Sequence, residues 1–275
     1  MFSFIIPTCV KNQLHLNQLY RCIHSIRKFH KDNNIFLIND SDDNYDLKSL
    51  FINDTNIFIE PTLNKGSADQ QIFKFFLEKD INDKAFFMQD SMLLNRQLDI
   101  ENIKGIKYIW HFTNHILHWD IIHWDIIDEP KTEFNIHNNI ITHTDLIRYH
   151  LLTNYNDNID FMNFALDSLN NKNKWCGCFG SCCIIDRETL IYINSQTNFI
   201  NKFVKATSNR DRRVNETIFS LICYYHFPEI NFYDSYDGLY YDGIQTNDAY
   251  GTETGFDNLT WCCKKKYIAK ISFNR

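Results

Sequence analysis

Glycine and proline are scarce in this chain, with 8 and 4 among 275 residues. That excludes collagen-like and low-complexity architectures, which are rich in both. Basic excess is missing too: the formal charge is -6, so there is no electrostatic footprint for nucleic acid as a main partner. No apolar run approaches the roughly 20 residues that a membrane span requires. The N-terminus lacks a basic segment before its apolar run, so a secretion signal is not expected. Nine cysteines are then expected as reduced thiols in a cytosolic compartment. What is present in quantity is apolar and aromatic side chain, 44% and 15% of the chain, enough to bury a substantial core.

Hydrophobic periodicity organises the first third. Phe2–Thr8 and Ile35–Asp42 are short apolar runs that end abruptly in polar residues. Between them Leu16, Leu19, Tyr20, Ile23, Ile26 and His30 recur at helical spacing. The pattern predicts a strand, a helix and a second strand. A short helix follows at Tyr45–Phe51, a third strand at Asn56–Glu60 stopped by Pro61, and a helix starting at Ser67 that carries Ile72, Phe75, Phe76 and Lys79. Lys84–Asp90 reads as a fourth strand and Ile106–Phe112 as a fifth. Alternating strands and helices predict a largely parallel sheet, and strands apolar throughout predict helices on both of its faces. Ligands of open α/β sheets bind at the carboxyl ends of the strands.

The second half is less regular. Residues 113–142 hold the sequence HWDII twice in tandem, at His118–Ile122 and His123–Ile127, and are expected to form a loop. Helices are expected near 143–153, 159–170 and 211–226, with a glycine-containing turn feeding a strand at Trp175–Asp186. Ser235–Arg275, rich in Tyr, Gly and Asp, is expected to wrap the site. No segment has linker composition. The expectation is one domain over 1–275, with a nucleotide-sugar-binding half at 1–112 and an acceptor-side half at 113–275.

Four segments in order, FSFIIPT, INDSD, LNKGSADQQIF and AFFMQDSMLL, resemble the landmarks of GT-A-type nucleotide-sugar glycosyltransferases of the family 2 kind. The resemblance covers residues 2–95 and extends more weakly over 175–226. It implies a GT-A (Rossmann-like), mostly parallel sheet flanked by helices, with an irregular acceptor-side C-terminal half. It also implies transfer of a monosaccharide, as by a hexosyltransferase, from a nucleotide diphosphate sugar to a hydroxyl of a glycan or protein. A UDP-sugar is the expected donor. The abundance of Asn, Ile and Lys suggests an AT-rich genome. The composition resembles proteins of large DNA viruses, in which the protein would work in host cytoplasm or virion.

The resemblance carries over to particular residues. Pro7 and Thr8 would lie beside the nucleotide, and Asp40, Ser41 or Asp42 would hold the uracil or ribose. A carboxylate suits that task because it accepts two hydrogen bonds; the competing reading is ordinary turn chemistry. Asn64, Lys65 and Gly66 would approach the donor phosphates, with glycine admitting the backbone and lysine adding charge. Gln89-Asp90-Ser91 occupies the place of the metal-binding acidic motif. Asp90 is the candidate ligand for Mn²⁺ or Mg²⁺, hard cations that take oxygen donors. The motif departs from the family's pattern in having one carboxylate. Trp175 and Gly180 are expected to line the acceptor pocket. Glu216, then Asp211, are candidate general bases for an inverting reaction. Arg210, Arg212 and Arg213 are either phosphate contacts or a solvated charged face.

Other features read as packing. Cys176, Cys178, Cys182 and Cys183 lack zinc-ligand spacing, and on a strand alternate side chains face opposite ways. His118, Asp120, His123 and Asp125 stand among Trp and Ile of a flap, and Tyr236, Tyr240 and Tyr241 belong to the C-terminal wrap. Two rival functions are a sugar nucleotidyltransferase and an inactive nucleotide-sugar or carbohydrate-binding scaffold. Pro-Thr-Cys-Val-Lys-Asn after the first strand lacks the glycine-rich loop of the former. The single carboxylate at Asp90 favours the latter.

Overall fold

A computed structural model describes residues 2–41, 44–63, 65–109, 111–113, 142–170, 175–206, 209–228 and 268–270. Strand β1 (Phe2–Thr8) is followed by helix α1 (Gln13–Phe29), β2 (Ile35–Asn39), the short α2 (Leu47–Leu50) and β3 (Ile57–Pro61). Next come α3 (Ala68–Glu78), β4 (Lys84–Phe87), β5 (Met92–Leu94), β6 (Ile106–Tyr108) and β7 (His111–Thr113). After α4 (His143–Asn154) and α5 (Ile159–Asn170) stand β8 (Cys176–Cys178), a 3₁₀ turn at Phe179–Ser181 and β9 (Cys183–Asp186). Helices α6 (Arg187–Thr197), α7 (Phe199–Lys202) and α8 (Asn209–His226) and strand β10 (Ile268–Lys270) complete the order.

The central sheet has the strand order β3-β2-β1-β4-β9-β6. The first four strands are parallel, with Ile5 opposite Phe36 on one side of β1 and Phe87 on the other. β9 enters antiparallel between β4 and β6. Alternation along each strand sorts the core into two layers. Phe4, Ile6, Leu37 and Phe86 pack under Leu19, Ile23 and Ile26 of α1. Ile5, Phe36, Phe87 and Ile185 face the opposite way, under Phe73 and Phe76 of α3 and Phe219 and Ile222 of α8.

Local chemistry sets the helix boundaries. Asn12 caps α1 by accepting from His15 N at 2.9 Å. Thr142 and Asp145 form a reciprocal capping box at the start of α4. Asp186 accepts from Thr189 N at 2.7 Å and opens α6.

Most expected elements are present, with two differences. The expected fifth strand is divided into β6 and β7, which pair in separate sheets. β5 and its partner β10, and the helices α6 and α7, had no distinct signal: three-residue strands carry no usable period, and the apolar positions of α6 are few. The sheet itself is mostly parallel, as expected. The tandem HWDII repeat, Asp42, Asn64 and Tyr236–Tyr241 lie outside the described residues. Among the described residues no helix is long and apolar enough to cross a membrane.

Candidate active site

The chain runs from β1 to β2 and β3 on one side of β1, then returns to place β4 on the other. The two connections leave a crevice between the carboxyl ends of β1 and β4, the switch point at which such sheets bind ligands. Asp90 stands there. Its carboxylate oxygen Oδ2 accepts from Cys9 N, just past the end of β1, at 3.3 Å. Asp90 and Ser91 are each 5% exposed.

The neighbouring rim is built on Asp40, at the end of β2. Oδ1 accepts from Thr62 Oγ1 at 3.1 Å, and Oδ2 accepts from Gly66 N at 2.7 Å. Asp40 N in turn donates to Thr8 O at 2.7 Å. Asp40 therefore ties the turn after β3 to the ends of β1 and β2. Ser41 Oγ accepts from Val10 N at 2.9 Å, and Lys65 Nζ donates to Ser41 O at 2.5 Å. Pro7 and Thr8 are buried in β1, and the Thr8 hydroxyl donates to Ile6 O. Thus Pro7, Thr8, Asp40, Ser41, Lys65 and Gly66 form one rim at the strand ends, held by side-chain-to-backbone bonds.

Two glycines let other backbone come close. Gly66 has φ +81°, and a Cβ placed there would sit 2.4 Å from Ala206 O. Gly180 has φ +54°, and its Cβ would sit 1.9 Å from Gln89 Nε2. The Gln89 amide thus occupies the space left by the missing side chain of Gly180, joining the turn after β8 to the end of β4. Only glycine meets both demands, a left-handed backbone and no Cβ.

α8 brings the last parts. Ser220 Oγ donates to Glu216 O at 2.6 Å and accepts from Cys178 N at 2.8 Å, fixing the helix against β8. Asn215 grips Val204 at both ends of its backbone, each bond 2.8 Å. Val204 lies two residues before the Ala206 carbonyl that covers Gly66. Arg212 pairs with Asp69 in the first turn of α3. The Asp69 carboxylate foremost, with Glu216 and Asp90 behind it, holds the Arg212 guanidinium above its ordinary range against the effect of burial. Arg212 thereby joins α8 to α3 through Asp69, and the charges of Glu216 and Asp90 both act on it.

Asp211 lies elsewhere. One residue along a helix turns the side chain by about 100°, and the charge of Asp211 acts on His150 of α4. Trp175 is a core residue: it is 5% exposed, and its indole Nε1 donates to Ser168 O at 3.1 Å. A ring buried on both faces presents no platform to a sugar. Cys178, Cys182, Cys183 and Cys223 are buried thiols, and burial first, then the neighbouring cysteines, pushes the Cys178 thiol up. Asp69 had no sequence signal beyond its place in a helix's first turn, where an acid is favoured by the macrodipole alone.

The donor set at Asp90 bears on the expected cation. Among the described residues no three His, Cys, Asp or Glu side chains gather as a metal cage. One buried carboxylate at an open crevice fits an ion of the Mg²⁺ type, which takes one or two carboxylates and draws its other ligands from water and substrate phosphate.

No protein-family model and no curated protein matches the sequence. Solved structures do match. The apo structure of the bifunctional glycosyltransferase WbbM has a TM-score of 0.52 at 8% identity, over 99% of this chain and 46% of that one. The apo form of mouse xyloside xylosyltransferase 1 has a TM-score of 0.45 at 7% identity, over 99% of this chain and 98% of that one. TarS of S. aureus has a TM-score of 0.28 at 15% identity, over 35% of this chain. The chain spans 17% of the length of TarS and 46% of that of WbbM. At such identities the likeness is one of fold, which is the mixed α/β, mostly parallel GT-A arrangement expected from the sequence. WbbM is a glycosyltransferase, and what this chain shares with it is the fold.

Proposed function

We propose that the protein transfers a monosaccharide from a nucleotide diphosphate sugar, a UDP-sugar, to a hydroxyl of a glycan or protein acceptor, with inversion at the anomeric carbon. The observation that carries this reading is the pair Asp90 and Glu216. Asp90 stands at the switch point between β1 and β4, and the charges of Asp90 and Glu216 both act on Arg212.

In this mechanism the nucleoside occupies the rim at Pro7, Thr8, Asp40 and Ser41, and the diphosphate lies toward Asp90 past Lys65 and Gly66. Glu216 takes the proton of the acceptor hydroxyl as its oxygen attacks the anomeric carbon and the nucleoside diphosphate departs. General-base assistance of this kind contributes roughly 10²–10⁴-fold. Mn²⁺ or Mg²⁺ held by Asp90 would supply positive charge to the leaving diphosphate, a Lewis-acid contribution. Gln89 and Gly180 shape the wall between donor and acceptor.

The test is calorimetric titration of UDP, UDP-sugars and GDP-sugars with and without Mn²⁺, beside a transfer assay, on wild type, Asp90→Ala and Glu216→Gln. The expected result is micromolar binding that requires metal and is lost in Asp90→Ala. Glu216→Gln should bind donor normally and turn over about 10²–10⁴-fold more slowly. Donor binding without turnover in wild type would favour an inactive binding protein. Absence of nucleotide binding would overturn the proposal.

A further inference from the structure

Three arginines open α8, and the structure sends them in different directions. Arg210 Nη2 donates to Thr142 O at 3.1 Å, at the start of α4. Arg213 and Arg210 are the charges that act on buried His143 of that helix. Arg212 turns instead to the strand ends, where it pairs with Asp69 of α3.

We propose that Arg212 is the residue that binds the donor's diphosphate, giving up the Asp69 carboxylate for phosphate oxygens when the donor enters. The proposal rests on the reading of this crevice as a nucleotide-sugar site, and it names the group that reads the anionic part of the donor. Its first support is charge. Arg212 pairs with Asp69 just past the Gly66 turn, and the charges of Glu216 and Asp90 also act on it, which puts the guanidinium beside the strand-end rim. A diphosphate approaching Asp90 must meet positive charge; Lys65 Nζ is engaged with Ser41 O, and Arg212 is a second cation whose guanidinium feels the charge of Asp90.

The second support is geometric. The pair is half-buried and still reached by solvent: the Arg212 side chain keeps 30% of its exposure and Asp69 keeps 21%. A phosphate that takes the place of the carboxylate leaves the guanidinium paired, so the exchange strands no buried charge on Arg212. The guanidinium is a planar fork that matches two phosphate oxygens as readily as a carboxylate. Asp69 then has a definite task. In the empty site it holds the fork at the mouth of the crevice, so little side-chain freedom is lost when the donor arrives.

The experiment compares UDP with uridine by calorimetry on wild type, Arg212→Gln, Arg212→Lys and Asp69→Asn, with folding checked by circular dichroism. Arg212→Gln should weaken UDP about tenfold to a hundredfold and leave uridine unchanged, since the lost contacts are charged hydrogen bonds to phosphate alone. Arg212→Lys, which keeps the charge without the fork, should fall between. Asp69→Asn should tighten UDP several-fold, because the competing carboxylate is gone. Equal losses for UDP and uridine would mean a structural role and overturn the proposal. So would UDP binding that is indifferent to Arg212→Gln, or weakened by Asp69→Asn. If wild type binds no nucleotide, the reading of the site has failed; if wild type binds UDP and Arg212→Gln binds it equally, only this inference has failed.

Discussion

Replacing Gly66 by alanine tests whether the rim of the site is held by a close approach of two backbones. Gly66 has φ +81°, and its N–H donates to Asp40 Oδ2 at 2.7 Å. Placing an L-residue in that region costs about 1–2 kcal/mol. The new Cβ also meets Ala206 O at 2.4 Å. A carbonyl cannot swing aside as a side-chain tip can, and the segment that bears it is pinned by the two bonds between Asn215 and Val204, each 2.8 Å. Overpacking of this kind adds roughly 1–3 kcal/mol, for a total of about 2–5 kcal/mol. In a domain of this size about 1 kcal/mol moves Tm by ~2–4 °C, so Gly66→Ala should melt about 4–20 °C lower.

Gly105→Ala is the control. Its φ is +75°, yet nothing lies within 4 Å of its Cβ position, so it carries the conformational cost without the clash. It should lose about 2–8 °C and leave UDP binding unchanged, whereas Gly66→Ala should also weaken UDP by shifting Asp40. Thermal unfolding by circular dichroism and one calorimetric titration per variant decide it. Equal melting losses in the two variants would refute the argument.

Two further outcomes follow from buried groups. Burial, reinforced by Arg213 and Arg210, lowers the His143 pKa to about 3 from its ordinary 6.5. Between those values the unfolded chain binds a proton that the folded chain refuses. Stability should therefore be complete above about pH 6.5 and fall on acidification by roughly 1.4 kcal/mol per unit until about pH 3. Denaturant unfolding from pH 7 to pH 4 should show a shallower decline in His143→Gln, and parallel curves for the two proteins would disprove the assignment. Trp175→Phe removes the buried bond from Nε1 to Ser168 O. It should cost about 1–3 kcal/mol with acceptor KM unchanged, and a raised acceptor KM at unaltered Tm would restore the role of Trp175 as a sugar platform.

Much of the N-terminal half was legible in the sequence because its signals are local. Phe2–Thr8 and Ile35–Asn39 are apolar runs that can only be satisfied by cover on both faces, and the 3.6-residue spacing from Leu16 to Ile26 supplies one such cover. The polar residues that end these strands were placed at the rim by the same logic. Trp175 failed the expectation because an indole is equally a ligand platform and a core side chain. The partner that makes it core, the carbonyl of Ser168, belongs to another helix.

The sequence by itself determined the alternation of strands and helices, the largely parallel sheet, and the clustering of Asp40, Lys65, Gly66 and Asp90 at its carboxyl edge, since a hydrophobic period encodes which way each side chain must face. The tertiary structure alone decided that β9 enters antiparallel beside β4, that the Gln89 amide fills the space above Gly180, and that Arg212, rather than Arg210 or Arg213, turns toward Asp69. Those choices depend on how α8 is rotated against β8, through Ser220 and Asn215, and such a rotation is fixed by contacts between segments far apart in the chain.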